Sequence, residues 1–572
     1  MIGLLGAVLV SASTNSGINT TVKTSFREKD TIKDNGYVPI RFDLYCFLLS
    51  FISRRDVDGR NYLSSLRNQD IPTYCGSGWA IAVASALGDR FRYQTSGMWP
   101  THELAAQVLI NCDEGNYGCS GGDPILAYKY IFENGIPDES CLPLTGTEER
   151  CIPINVCRSC TDSGICDPVY DYSVYRISSY GHVSSVGPMQ REIYNRGTIT
   201  CSISVTSSFR SYRRGILTDS SGHVLYKHIV SVVGWGEENG IPYWIVRNTW
   251  GSYWGENGFA RILRGYDLFG IESDCSYGQP LLYGNQTKMV ESNPSVNVNI
   301  RNFISCGYPT DWTLVSPVII SPLPSTYVNV SSLPPYWDIR SLYGRNYATP
   351  NKNQHSPQFC NSCWAQATAS ALSDRLNLKN NGKWPLIELS AQMILNCAEG
   401  SCSGGDTGEA YRLGYLYGIS DRTCQAYEGR KKECNNMGRC MDCNRDGCWP
   451  VESYRRVYVE EYGEVQGIDN MKAEIYARGP ITCFMVMTEE FMNYEGGIFV
   501  EHDHAYKGGH IVEVAGWGYN SVTNQRYWIA RNNWGNAWGE EGWFRINMGG
   551  SNLMIESSCS WGVPSAQFVN VQ

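Results

Sequence analysis

The chain has 572 residues, long for one domain and suited to two large ones with ample core. Lys and Arg number 47 against 56 Asp and Glu, so the formal charge is −9 and the isoelectric point lies near 5.5. That balance offers nucleic acid no electrostatic footing; it serves solubility and suits an acidic compartment.

Residues 1–13 hold an apolar run over 2–10, then Ser11-Ala12-Ser13, small residues where a signal peptidase cuts. The run is too short to span a bilayer, so the expectation is a cleaved signal peptide over 1–12 and no transmembrane segment, although no basic side chain precedes it. Sequons at Asn19, Asn285 and Asn329 point to the secretory pathway. The N-terminal segment 13–54 is hard to read. Its apolar block at 44–52 is either a buried segment or a fault in the translated gene.

Next comes an internal duplication. Gln69-Asp70-Ile71-Pro72-Thr73-Tyr74-Cys75-Gly76-Ser77-Gly78-Trp79-Ala80 returns as Gln354-His355-Ser356-Pro357-Gln358-Phe359-Cys360-Asn361-Ser362-Cys363-Trp364-Ala365. Of 23 cysteines, all but Cys46, Cys306 and Cys363 fall into two matched sets of ten. The repeats are placed at 55–282 and 336–572, with a connector at 283–335 that is rich in proline, carries two sequons and reads as exposed. Ten is even, and so many thiols fit an oxidising compartment, so each repeat is expected to close disulfides. The inner cluster Cys434, Cys440, Cys443 and Cys448 also contains a metal-like Cys-x-x-Cys pair. With no cysteine left over in the set, disulfides are preferred, and no metal or cofactor is expected.

In each repeat an Ala-rich run follows Trp79 or Trp364 and reads as a buried helix. The later half alternates apolar and polar residues with Gly and aromatics, as antiparallel strands do. The fold class is α+β: two tandem domains, each a helical half and a β half with a cleft between them.

Cys363 would start that helix, where unpaired N–H groups favour a thiolate. A base must come from the β half. His510, at a strand start in Gly508-Gly509-His510, is the candidate, with Asn532 to accept its second N–H and Trp534 to shield that bond. In the first repeat the counterparts are Gly78, His228, Asn248 and Gln69, so the reacting atom is missing.

This constellation resembles the papain-like cysteine proteases, and within them the cathepsin X (cathepsin Z) branch. The resemblance covers both repeats and implies a thiol peptidase with Gln354 in the oxyanion hole and Gly404 and Gly405 lining the cleft. The extra residues His355-Ser356-Pro357 resemble that branch's mini-loop, whose His meets a substrate's C-terminal carboxylate. His355 would do so as a cation, favouring mildly acidic pH. Asp70 in its place would repel a carboxylate. The resemblance also implies the pairings Cys75–Cys119, Cys112–Cys151, Cys141–Cys157, Cys160–Cys166 and Cys201–Cys275, then Cys360–Cys402, Cys397–Cys434, Cys424–Cys440, Cys443–Cys448 and Cys483–Cys559. Cys306 lies about where the short propeptide of that branch carries a cysteine able to bond the catalytic one. Asn361 and Phe359 depart from the family pattern kept at Gly76 and Tyr74, and are expected to alter a substrate pocket.

The expected function is a cysteine carboxypeptidase acting through the second repeat on peptides or proteins with a free C-terminus. The first repeat would be a pseudoenzyme that binds or regulates. A lysosomal or extracellular setting follows, and the oligomeric state is left open. The alternative is a secreted, non-enzymatic peptide-binding glycoprotein with both repeats silent.

Overall fold

The computed structural model describes residues 51–282, 305–565 and 569–571. The signal-peptide region, Asn19, Asn285, Cys46 and most of segment 13–54 lie outside them. Among the described residues no helix is long and apolar enough to cross a membrane.

Each repeat folds as helices against a mostly antiparallel sheet. In the second, the helix Cys363–Lys379 is buried over its first fifteen residues. Alanines at 365, 367, 369 and 371 leave its flanks thin, so strand Gly508–Asn520 packs closely on it. The helix stops where Asn381 and Gly382 turn to φ 55° and 65°, values a helix cannot continue. The sheet runs Val459–Val465, Cys559–Pro564, Ile481–Met487, Gly508–Asn520, Gln525–Arg531, Trp543–Asn547, Ile498–Phe499, the last pair parallel. Gly508–Asn520 is central and almost wholly buried, which explains its mostly apolar sequence, broken by His510 and Glu513, and makes it a rigid platform. The first repeat repeats this order around helix Gly78–Gln94 and strand Tyr226–Glu238.

Five disulfides brace each repeat: Cys75–Cys119, Cys112–Cys151, Cys141–Cys157, Cys160–Cys166 and Cys201–Cys275 in the first. In the second they are Cys360–Cys402, Cys397–Cys434, Cys424–Cys440, Cys443–Cys448 and Cys483–Cys559. The inner cysteine cluster is therefore spent on sulfur–sulfur bonds.

The described part of the connector is largely exposed, yet it is not free. Val318 pairs with Tyr462 through two backbone hydrogen bonds, and Glu461 accepts from Ile320 N and Ser321 N at 2.9 Å. The segment is laid along the second repeat because those backbone groups find partners there.

Helix and sheet of the second repeat are also tied by charge. Arg531 donates to Asp374 on the helix at 2.7 Å and to Glu513 on the central strand, all three fully buried. Burial, against Arg531 and with Asp374 nearby, pushes the Glu513 carboxyl up to about 8. The first repeat keeps Arg247 and Asp89 at 2.8 Å but has Ser231 in place of the second acid. Replacing Asp374 with Ala breaks one of the two buried ion pairs of Arg531 and leaves Glu513 as its only carboxylate, and should cost the second repeat about 3–5 kcal/mol. Thermal unfolding of Asp374→Ala measures it; a loss below about 1 kcal/mol would show the cluster to be marginal.

Candidate active site

Cys363 is the first residue of its helix, after Ser362 at the cap. His510 enters from the central strand, opposite Met485, and Asn532 follows strand Gln525–Arg531. Helical and β halves thus meet at one point. The sulfurs of Cys363 and Cys306 and a ring nitrogen of His510 all lie within 4.8 Å of one another.

Cys363 is not free. It is disulfide-bonded to Cys306 of the connector, and Cys306 Sγ lies 3.0 Å from His510 Nδ1. The other ring nitrogen, Nε2, is 2.8 Å from Asn532 Oδ1. Since the Asn oxygen only accepts, Nε2 carries the proton and Nδ1 turns its lone pair toward sulfur, the tautomer a base needs. Burial lowers the His510 pKa to about 4, partly offset by the Asn532 hydrogen bond. Trp534 lies over the ring with centroids 5.0 Å apart and covers the His–Asn bond.

Gln354 is placed by its backbone: its N–H donates to Asn533 O at 2.8 Å, and its carbonyl accepts from Tyr427 Oη at 3.0 Å. Its buried side-chain amide has no hydrogen-bond partner among the described residues. Gly404 and Gly405 line a groove that the connector occupies. Gly307 pairs in parallel with Gly405, Tyr308 N donates to Gly405 O at 3.1 Å, and a Cβ at Gly404 would lie 2.8 Å from the Tyr308 ring. Asn361 is buried, and its Oδ1 has no partner among the described residues.

His355 departs from expectation. It is only 4% exposed, stacked on Phe359 at 5.2 Å and on Trp534 at 5.9 Å. Burial, with His510 nearby, drives its pKa down to about 3, so in this arrangement it is neutral at mildly acidic pH. An exposed imidazolium ready for a carboxylate is not what the closed chain presents.

In the first repeat the pocket has collapsed. A Cβ at Gly78 would lie 2.6 Å from Gln69 Oε1 and 2.8 Å from His228 Cε1. Thr249, where the second repeat has Asn533, donates its hydroxyl to Gln69 Oε1 at 2.7 Å and holds the amide in the vacated space. His228 keeps its 2.8 Å contact with Asn248 and its stack on Trp250, and burial lowers its pKa to about 4. Thr249 was invisible from sequence as a functional residue. Its mismatch with Asn533 beside the retained Asn248 was the available signal.

Comparison with known proteins agrees with this geometry. The family described as "Papain family cysteine protease" matches residues 53–279 and 333–563. The chain belongs to the papain family of cysteine proteases. It is similar to cathepsin Z of Onchocerca volvulus, 42% identical over 42% of this chain and 80% of the relative. Cathepsin B-like cysteine proteinase 4 of Caenorhabditis elegans is 33% identical over 38% of this chain and 71% of that protein. Among solved structures, procathepsin B S9 of Trypanosoma congolense aligns over 46% of this chain and 87% of its own, at 22% identity and a TM-score of 0.38.

Two outcomes follow for the first papain-like repeat. Gly78→Cys alone should leave that site unreactive, since Gln69 and His228 fill the space; mass spectrometry after a thiol-directed reagent should find no label at residue 78, and efficient labelling would refute the collapse. His228 carries the acid-lability sign: its folded pKa lies below the unfolded value, so its contribution is complete above pH 6.5 and is lost as pH falls toward 4. His228→Gln should flatten the pH dependence of stability there by up to about 1.4 kcal/mol per pH unit, read from thermal midpoints at pH 4.5, 5.5 and 6.5.

Proposed function

We propose that this papain-family peptidase works through its second repeat as a carboxypeptidase of cathepsin X type, held latent by the Cys306–Cys363 bond. The reading rests above all on one observation: a sulfur at a helix start, beside the aprotic nitrogen of an imidazole whose other nitrogen faces Asn532. Similarity to cathepsin Z and the mini-loop at His355 support the exopeptidase part.

Activation is a thiol–disulfide exchange. A small-molecule or protein thiolate attacks Cys306 Sγ, Cys363 leaves as a thiolate, and a second thiol resolves the mixed disulfide on Cys306. The freed sulfur sits where the helix N-terminus and an imidazolium stabilise it. It attacks the scissile carbonyl, Gln354 donates to the developing oxyanion, and His510 passes a proton to the leaving amine. Water, deprotonated by His510, then releases the acyl group. Gly404 and Gly405 would let substrate backbone take the place the connector now fills.

The first repeat serves as a non-catalytic binder or regulator. A Cβ at its Gly121 would meet nothing within 4 Å, so its cleft glycine is clear of described atoms. A route through the secretory pathway to a lysosomal or extracellular site fits the disulfides and the exposed sequon at Asn329.

Cys306→Ser should expose Cys363 to an active-site-directed thiol reagent, with labelling at least about tenfold faster than in the untreated parent. Cys363→Ala must abolish all hydrolysis. If Cys363 in Cys306→Ser stays unlabelled, the chain is a peptide-binding protein with both repeats silent.

A further inference from the structure

The two repeats meet through their mini-loops, and they do so reciprocally. Asn353 Nδ2 donates to Ser140 O at 3.0 Å, and its counterpart Asn68 Nδ2 donates to Thr423 O at 3.0 Å. Asn536 N donates to Ser140 Oγ at 2.8 Å, and its counterpart Ser252 N donates to Thr423 Oγ1 at 2.9 Å. Arg340 lies over Trp99 as Arg55 lies over Trp384. Each contact and its mirror are related by the offset of the duplication, the pattern of a two-fold dimer fused into one chain.

That contact lies against the mini-loop that carries His355, whose ring also stacks on Phe359 and Trp534 of its own repeat. Cys160 N of the first repeat donates to His355 O at 3.0 Å, and Ser356 Oγ donates to Cys141 O at 3.3 Å. A ribbon braced by Cys141–Cys157 and Cys160–Cys166 sits directly on the mini-loop.

At the centre the symmetry breaks in charge. Arg422 grips Glu139 of the first repeat with both carboxylate oxygens at 2.8 Å and reaches Glu388 of its own at 3.2 Å. Arg67 pairs with Glu103 at 3.0 Å, and Lys352 lies 3.6 Å from Glu388. The equivalent positions are Arg67 and Lys352, Glu103 and Glu388, but Glu139 and Arg422. Three cations therefore meet three carboxylates. Two copies of the second repeat would set four cations against two carboxylates, and two copies of the first the reverse. Among these six side chains only the mixed pair balances, and unpaired charge in a buried contact is strongly disfavoured.

We propose that the nucleophile-less repeat is a charge-coded cover for the second repeat's mini-loop, which keeps His355 from substrate carboxylates until the repeats part. The proposal rests on the carboxypeptidase reading above and adds a second lock to it. Opening the Cys306–Cys363 bond frees the nucleophile; separating the repeats frees exopeptidase specificity.

The test uses the full chain carrying Cys306→Ser. Three derivatives add Glu139→Arg, Arg422→Glu, or both, and a fourth adds Ser140→Arg as a steric wedge should the single reversals fail to fold. Three readouts apply: labelling of Cys363, the rate ratio for a peptide with a free C-terminus against its amide, and hydrogen exchange at the Cys160 and Asn536 amides. With Cys306→Ser alone, Cys363 labels, the ratio stays within about threefold of one, and exchange is slow. Either single reversal, or the wedge, should speed that exchange and raise the ratio at least about tenfold. The double swap should restore slow exchange and the low ratio.

Failure separates cleanly. An unlabelled Cys363 overturns the peptidase reading itself. A labelled parent that already prefers the free acid while exchange is slow overturns the cover. Reversals that leave exchange slow overturn the charge code, and fast exchange with an unchanged ratio removes His355 from the account.

Discussion

A sulfur at the start of a buried helix, beneath an imidazole from the facing strand, is the contact the second repeat is organised around. Neither half holds the site alone. The helix supplies Cys363 and the positive end of its backbone dipole, and the central strand supplies His510 on a platform buried on both faces. Arg531 ties the two together through Asp374 and Glu513, so the placement of Cys363 against His510 is set by the core. The connector exploits that rigidity. Cys306 N donates to Gly509 O at 2.9 Å, which sets its sulfur beside His510 and within bonding reach of Cys363.

The two repeats show what becomes of such a site once the sulfur is gone. A buried amide without a partner carries a desolvation penalty of about 1–3 kcal/mol. In the first repeat Gln69 escapes that penalty by turning into the space above Gly78 and accepting from Thr249. In the second, Asn533 donates instead to Ile511 O, and the Gln354 amide stays unpartnered among the described residues. The penalty persists where an oxyanion would relieve it. With Cβ and Sγ both absent at residue 78, the surrounding pocket has filled the space, which makes the change harder to reverse than a point substitution suggests.

The sequence made some of this legible and hid the rest for physical reasons. A duplication with a nearly constant offset groups Cys363 with His510 and Asn532 and isolates Gly78, because residue types at catalytic positions are chemically distinctive. The Ala-rich run after Trp364 marks a helix buried all round, because small side chains at alternate positions serve close packing and little else. Glu139 and Arg422 are different. Each alone is an ordinary charged residue near a disulfide loop, and their meaning exists only across a contact between segments 283 residues apart. The surroundings of His355 were hidden for the same reason: part of what packs on its mini-loop comes from the other repeat. Duplicated positions that have acquired opposite charge were the one available hint.

A covalent tether reduces what the contact between the repeats must supply. Pairing of the repeats is intramolecular, so the contact need supply little affinity of its own. What it must supply is choice of partner and an ability to open. Buried ion pairs suit both demands, since their net stabilisation is small while mispairing is heavily penalised. An apolar seam of the same size would hold more tightly and would also accept two copies of the same repeat. With Arg422 facing Glu139, a second repeat parted from the first would, on the proposed reading, meet like charge at this position in a copy of itself.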